Sequence, residues 1–153
     1  MKPPVRLLFL PLFFAAVCAF AQPAGEAVPA GKTPGTTLQS RLYDAAGALG
    51  NEGFKLRDGV WSGTIDGNKA QRFAVNLFAG NQYWFCATIS GSGEMPDLVL
   101  RDPSGAKMEI VPYEGGASVA AAGVTAPVTG RYILELRGSA AGSRDFCLLY
   151  LFK

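Results

Sequence analysis

The sequence contains no histidine, and it has only three cysteines and two tryptophans in 153 residues. Without histidine the chain cannot build the usual Ser-His-Asp or Cys-His catalytic arrangement, nor a zinc site with imidazole ligands. It also lacks a G-x-x-x-x-G-K-[ST] phosphate loop and a G-x-G-x-x-G segment opening a helix after a strand. These absences favour a protein that is not an enzyme.

Carboxylates are the remaining candidates for acid–base chemistry. Asp97 and Asp102 lie at opposite ends of one predicted strand in the glycine- and proline-rich segment 91–107. At about 3.3 Å per residue they are roughly 16 Å apart, and their odd separation puts them on opposite faces. A glycosidase needs its two carboxylates about 5–10 Å apart. We therefore predict no catalytic residues, and an enzyme of unrecognised type is only the third functional hypothesis.

Glu94 and Asp97 are candidate calcium ligands, because Ca²⁺ prefers carboxylate and carbonyl oxygens. Their spacing does not match an EF-hand loop. The competing interpretation is turn chemistry, since residues 102–105 (DPSG) place Asp, Pro and Gly where a type I turn prefers them. The turn interpretation is favoured. No cofactor and no metal site is firmly predicted, and calcium at Glu94 and Asp97 is the one candidate.

The first 21 residues have the pattern of a signal peptide. Lys2 and Arg6 precede the apolar run LLFLPLFFAAVCAFA, which ends in an A-x-A cleavage sequence at residues 19–21. A retained membrane anchor and a lipid-modified Cys18 are the alternatives. The run is short for a span of about 20 apolar residues, and residues 15–17 (AAV) fit a lipidation site poorly. We expect cleavage and a periplasmic or secreted protein.

Cleavage would change both the charge and the cysteine count of the chain. Loss of Lys2 and Arg6 leaves as many acidic as basic residues, which argues against nucleic acid or a membrane surface as a partner. Loss of Cys18 leaves Cys86 and Cys147. An even number of cysteines in an exported protein predicts a disulfide between them. The alternative is two buried free thiols.

The rest of the chain divides by composition and periodicity. Residues 22–36 are rich in Pro, Ala and Gly and predict a flexible linker. Residues 37–53 include apolar positions at helical spacing and predict a short helix and lead-in. From residue 54 to 153 the apolar period is two, with turn residues every 8 to 12 positions. This pattern predicts an all-β, antiparallel, jelly-roll-like sandwich of about seven to nine strands.

Aromatic residues offer a candidate ligand site. Trp61, Trp84 and Tyr113 could form a flat platform for sugar rings. The alternative is that these rings belong to the core, because each sheet of a sandwich buries one face.

Residues 62–152 resemble a bacterial pre-peptidase C-terminal domain. The matching segments, in the order typical of that family, are residues 63–65 (GTI), 75–81 (VNLFAGN), 83–85 (YWF), 97–105 (DLVLRDPSG) and 127–136 (PVTGRYILEL). The resemblance implies a jelly-roll-like module of an exported bacterial protein, which in the family usually follows a secreted protease. It implies a role in secretion or in binding a surface. Because residues 1–61 contain no protease domain, we expect a stand-alone periplasmic or secreted module.

Three functional hypotheses follow. The first is an exported, non-catalytic module that binds a protein or a cell-surface or extracellular ligand, or assists secretion. The second is a carbohydrate-binding module that uses exposed aromatic residues to hold a polysaccharide. The third is the unrecognised hydrolase. Clustered exposed aromatic rings would favour the second, and converging carboxylates the third.

Overall fold

The computed structural model describes residues 34–67, 69–91, 95–113, 118–138 and 142–153, with only the backbone described at 34–36. The predicted signal peptide and nearly all of the predicted linker lie outside these ranges. Residues Gly31–Lys153 form one compact unit. None of the described helices is long and apolar enough to cross a lipid bilayer.

Helix α1 spans Pro34–Asn51. It begins inside the segment 22–36 that composition assigned to a linker, so the linker prediction is wrong for its last residues. A proline is compatible with the first turn of a helix, where no backbone donor is needed. Leu38, Leu42 and Leu49 are buried on one face. The helix ends in a turn that places Gly53 at a φ of 92°, a conformation that favours glycine.

Eight strands follow within the described residues, which confirms the all-β class and the predicted number. They are β1 (Lys55–Asp66), β2 (Ala70–Leu77), β3 (Gln82–Ile89), β4 (Asp97–Arg101), β5 (Val111–Pro112), β6 (Ala120–Thr125), β7 (Gly130–Arg137) and β8 (Ser143–Phe152). All strand pairs are antiparallel. One sheet has the order β1-β8-β3-β6-β5 and the other the order β2-β7-β4. From β1 to β4 the chain alternates between the two sheets, as in a jelly roll.

The main core fills the space between the sheets. Alternate residues of β3, including Tyr83 and Phe85, face Tyr132 and Leu134 of β7 across this space, and all four are fully buried. The period-two pattern of residues 82–89 predicted this inner set. Burial of such side chains stabilises the fold by about 1.5–3 kcal/mol each.

A second core lies on the other side of the five-stranded sheet. Helix α1 contacts β1, β3 and β8, and its leucines pack on Phe54, Cys86 and Leu149. Both faces of the five-stranded sheet are therefore buried at β3. The three-stranded sheet has no such cover in the described part of the chain, and polar side chains line most of its outer face.

Candidate functional site

The outer face of the three-stranded sheet concentrates arginine. Strand alternation and register place Arg72 of β2 and Val99 of β4 on either side of Glu135 in β7. The next rows on this face hold Arg101 beside Ile133 of β7, and Arg137 beside Asp97. We call this surface the arginine face, and its charged members are Arg72, Asp97, Arg101, Arg131, Glu135 and Arg137.

Glu135 is the centre of the arginine face. Its carboxylate is only 1% exposed, and three guanidinium groups donate to it. Nη2 of Arg137 donates to Oε2 at 2.8 Å. Nε of Arg101 and Nε of Arg72 both donate to Oε1, at 3.1 and 3.2 Å respectively. A buried carboxylate is tolerated here because each oxygen has a charged partner.

The arginines keep Glu135 ionised. The hydrogen bond from Arg137 is the largest influence that lowers its pKa, and hydrogen bonding and charge from Arg101 and the charge of Arg72 act in the same direction. Burial opposes them, yet the pKa falls to about 2. At neutral pH the carboxylate therefore carries its charge permanently. It anchors the arginines and does not exchange protons.

The guanidinium groups retain donors beyond those that hold Glu135. The side chains of Arg72 and Arg137 are 69% and 45% exposed, and the described contacts use only one nitrogen of each. Arg101 is more constrained, because its Nη1 also donates to the carbonyl of Gly105 at 3.1 Å. Each guanidinium has five N–H donors in a planar fork. Arg72 and Arg137 can therefore bind a further carboxylate while they hold Glu135.

Positive charge exceeds negative charge on this surface. Four arginines share the arginine face with two carboxylates, and Arg131 is exposed on the row beside Asn76. An open depression of about 360 Å³ lies over the centre, lined by Arg72, Arg101, Gly105, Ile133 and Glu135. Chemically, the depression is suited to an anionic group.

The predicted aromatic platform is wrong, because its residues lie on opposite sides of the five-stranded sheet. Trp61 stacks on Phe73 and on Tyr150, with ring centroids 5.5 Å apart in each pair, and faces the main core. Trp84 packs in the second core and meets Tyr113 edge-on at 5.5 Å, with an interplanar angle of 78°. Trp84 and Tyr113 do meet, but not as a flat surface.

The structure describes only one of the two candidate calcium ligands, Asp97. Asp97 is exposed at the start of β4, across from Arg137. Glu94 lies outside the described residues. Across the described ranges, no three acidic or cysteine side chains gather closely enough to hold a metal ion. Calcium binding at Glu94 and Asp97 stays a prediction.

Asp102 forms the turn that the sequence predicted. The amide of Gly105 donates to the Asp102 carbonyl at 2.9 Å. Oδ1 of Asp102 accepts from the hydroxyl of Ser104 at 2.6 Å and from the amides of Ser104 and Ala106, both at 2.9 Å. The Ser104 hydroxyl is the largest cause that lowers the pKa of Asp102. This carboxylate therefore organises a loop, as aspartate commonly does in turns.

Cys86 and Cys147 are free, buried thiols in the structure and do not form the predicted disulfide. In the pairing of β3 with β8, Cys86 lies opposite Leu149 and Cys147 lies opposite Thr88. The two cysteines are thus diagonal neighbours, whose Cα atoms are typically about 7–8 Å apart. A disulfide requires a separation below about 7 Å or a movement of the backbone. Burial raises the pKa of Cys86 to about 12.

The arginine face was not predicted from the sequence. A local signal was present, because RYILELR alternates the core residues Tyr132, Leu134 and Leu136 with Arg131, Ile133, Glu135 and Arg137 on the outer face. A single glutamate between arginines in an apolar strand suggests a paired carboxylate. Arg72 and Arg101 come from distant segments, and only the strand register brings them to Glu135.

Comparisons with known proteins give no family for this chain. No protein-family model matches it, and no curated protein matches it. Among solved structures it is similar to PliG of Salmonella Typhimurium, a periplasmic inhibitor of g-type lysozyme, with 16% identity and a TM-score of 0.42 over 62% of this chain and 90% of that one. It is also similar to the Bacillus licheniformis lipase BlEst2 in its propeptide form, with 16% identity and a TM-score of 0.43. That match covers 61% of this chain and 21% of the lipase chain.

Proposed function

We propose that the chain is an exported, non-catalytic binding module that recognises an acidic group of a protein partner on its arginine face. The observation that carries the proposal is the centre of that face. Three guanidinium groups surround one buried carboxylate, and two of them keep exposed donors. The resulting excess of positive charge complements an anionic partner.

The number of guanidinium groups around Glu135 supports a role in ligand binding in addition to a structural role. One guanidinium can hold a carboxylate through two parallel hydrogen bonds. Here Glu135 fixes the position of Arg72, Arg101 and Arg137 at the same time. Fixed side chains lose less conformational entropy when a ligand binds. Arginine is also common among the residues that contribute most to protein interfaces.

The ionisable groups argue against catalysis. Acid–base catalysis needs a group with a pKa near the working pH. Among the described residues, the resolved pKa shifts move carboxylates downwards and thiols and Tyr150 upwards, away from neutrality. The exposed arginines Arg72 and Arg137 serve as hydrogen-bond donors to carboxylates.

The proposed location outside the cytoplasm is supported by the sequence. The signal-peptide pattern of residues 1–21 and the resemblance to a pre-peptidase C-terminal domain both imply export. The carbohydrate alternative has lost its main support, because Trp61 and Trp84 do not share a surface. A protein ligand with carboxylates is the better chemical match for the arginine face.

The proposal is tested by binding of the processed protein to immobilised polyglutamate, with polylysine, cellulose and chitin as comparison surfaces. We expect retention on polyglutamate alone, and we expect added salt to weaken it because exposed charges are screened. The double variant Arg72→Gln/Arg137→Gln should bind at least about tenfold more weakly, a loss of about 1.4 kcal/mol. Arg41→Gln, at an exposed position on α1, is the matched control and should bind normally.

Two results would contradict the proposal. Polyglutamate binding that is unchanged in the double variant would place the ligand elsewhere on the protein. Retention on cellulose or chitin, without retention on polyglutamate, would favour the carbohydrate alternative instead.

A further inference from the structure

One edge of the sandwich differs from the others. Strand β2 is at the end of the three-stranded sheet and pairs only with β7. Its eight residues run without a bulge, and no strand covers its second edge within the described ranges. An uncovered strand edge presents unpaired N–H and C=O groups, and so it is a template for another strand.

The other strand edges carry features that oppose pairing. At β4, Arg101 forms a bridge to Lys107 and the amide of Met108 donates to Leu100. At one end of the five-stranded sheet, the edge strand β5 has only two residues, and one of them is Pro112. Strand β1 has an irregularity between Arg57 and Trp61, where Asp58 has a φ of 59°. Bulges of this kind interrupt a strand edge.

The outer side of β2 offers space and positive charge together. Its outward residues are Ala70, Arg72, Ala74 and Asn76, so small alanines lie on both sides of the arginine along the strand. An added strand would lie about 4.8 Å away. Its side chains would then be about 4.5–5.5 Å, between Cβ atoms, from the residues opposite them. A carboxylate there reaches Arg72, whose described contact with Glu135 uses only Nε.

The inner side of the same strand is apolar from Phe73 to Leu77, whereas Gln71 at its start is polar and exposed, and its Nε2 donates to the Thr64 carbonyl at 3.2 Å. Phe73 is half-buried and packs against Trp61 and Phe146, and Val75 and Leu77 follow on the same side. A strand that pairs with β2 would point alternate side chains toward this apolar border. The preferred sequence therefore alternates acidic residues with apolar residues.

We propose that the free edge of β2 accepts an extended segment of a partner protein in which acidic and apolar residues alternate, as a fourth strand of the sheet. The inference rests on the proposed function and specifies how the acidic partner binds. Main-chain hydrogen bonds would supply affinity, and the pairing of acidic side chains with Arg72 would supply specificity.

A second copy of this chain is a poorer occupant. The outward residues of β2 include no carboxylate, so pairing of two β2 edges would bring a second arginine in place of an acidic residue. Like charges brought close together across strands destabilise the pairing. The charge of the edge therefore selects a different protein.

The test uses a fluorescently labelled peptide that alternates glutamate and valine along the length of β2, measured by anisotropy with the processed protein. Two further peptides have the same sequence with N-methyl groups on alternate amides. In one peptide the methyl groups block the amides of one strand edge, and in the other they block the amides of the opposite edge. We expect the unmodified peptide and one N-methylated version to bind. The other version, whose blocked amides would face β2, should bind at least about tenfold more weakly.

Variants of the protein identify the side chain involved. Arg72→Gln should weaken binding of the unmodified peptide about tenfold, whereas Arg41→Gln should leave it unchanged. A peptide that alternates lysine and valine should not bind. Because N-methylation changes only the ligand, this comparison does not depend on the folding of a variant.

Three results would overturn strand addition. If both N-methylated peptides bind as well as the parent while polyglutamate retention still requires Arg72 and Arg137, the arginine face binds anions without strand pairing, and the proposed function survives. If neither polyglutamate nor the peptide binds, both proposals fail. If sedimentation shows a dimer that the peptide displaces, a second copy is the occupant of the edge.

Discussion

The carboxylate of Glu135 accepts a hydrogen bond of 2.8 Å from Nη2 of Arg137, two residues further along the same strand. Residues two apart on a strand share a face, so β7 alone supplies both members of this pair. Strands β2 and β4 then add Arg72 and Arg101 from either side. The centre of the arginine face is therefore built across all three strands of the sheet.

Replacing Glu135 with glutamine should destabilise the protein. The amide keeps the shape of the side chain but leaves three guanidinium groups without the negative charge that holds them. We expect a loss of about 1.5–3 kcal/mol in the free energy of unfolding, the range for hydrogen bonds to charged groups, measured by urea denaturation. Glu109→Gln removes the same charge at an exposed position and should change stability by less than about 0.5 kcal/mol. Equal stabilities of the two variants would contradict a structural role for Glu135.

The contribution of Glu135 should disappear in acid. Its pKa is lowered from 4.5 to about 2 in the folded protein, so folding favours the ionised form. The resulting stability is fully present above the unfolded pKa and is lost as pH falls through the folded pKa. The difference in melting temperature between the wild type and Glu135→Gln should thus be constant near neutrality. It should shrink as pH falls from about 4.5 to about 2.

Comparison of the two proteins isolates this residue from other acid-sensitive groups. The pKa of Asp102 is also lowered, with the Ser104 hydroxyl as the largest cause, and its effect is common to both proteins. A difference in melting temperature that grows on acidification would contradict the assignment.

The next prediction concerns Tyr150 and the irregular part of β1. The Tyr150 hydroxyl donates to Oδ2 of Asp58 at 2.8 Å, and burial is the largest cause that raises the Tyr150 pKa, to about 12. Asp58 has a φ of 59°, which Asp and Asn adopt more readily than other residues with a side chain. Asp58→Ala should therefore cost about 1–3 kcal/mol through lost hydrogen bonding and backbone strain. Asp58→Asn should cost much less.

A double-mutant cycle separates those two causes. Tyr150→Phe alone should cost about 1 kcal/mol by removing the hydrogen bond. In the Asp58→Ala background the same substitution should cost nothing, because the bond is already absent. An unchanged cost in that background would mean that the Tyr150 hydroxyl has another partner.

Strand alternation explains why much of the fold could be predicted. In residues 82–89 the period of two separates Tyr83 and Phe85 from Trp84 and Cys86, and the structure places the two sets on opposite faces. The DPSG turn was equally local, because its Asp and Gly contact each other within four residues. Local patterns of this kind need no information about other strands.

Features that depend on distant segments could not be predicted. Alternation assigns Trp61 and Trp84 to faces of their own strands, but it does not say whether those faces coincide. The arginine face also depends on distant segments, since Arg72 and Glu135 meet only through the register of β2 with β7. Register is set by packing of the whole sheet and by turn geometry. The composition of a strand and the spacing of its residues therefore do not determine which residues of a distant strand lie opposite it.

The last prediction concerns Cys86 and Cys147, which the cysteine count predicts to be bridged and which are free thiols in the structure. Both thiols are buried on the side of the five-stranded sheet that faces α1, and burial is the largest cause that raises the pKa of each. Since the thiolate is the reactive form, iodoacetamide should not label the native protein at neutral pH. In denaturant without reductant, mass spectrometry should find both cysteines alkylated. Absence of labelling in denaturant, reversed by a reductant, would instead establish a disulfide and require movement of β3 against β8.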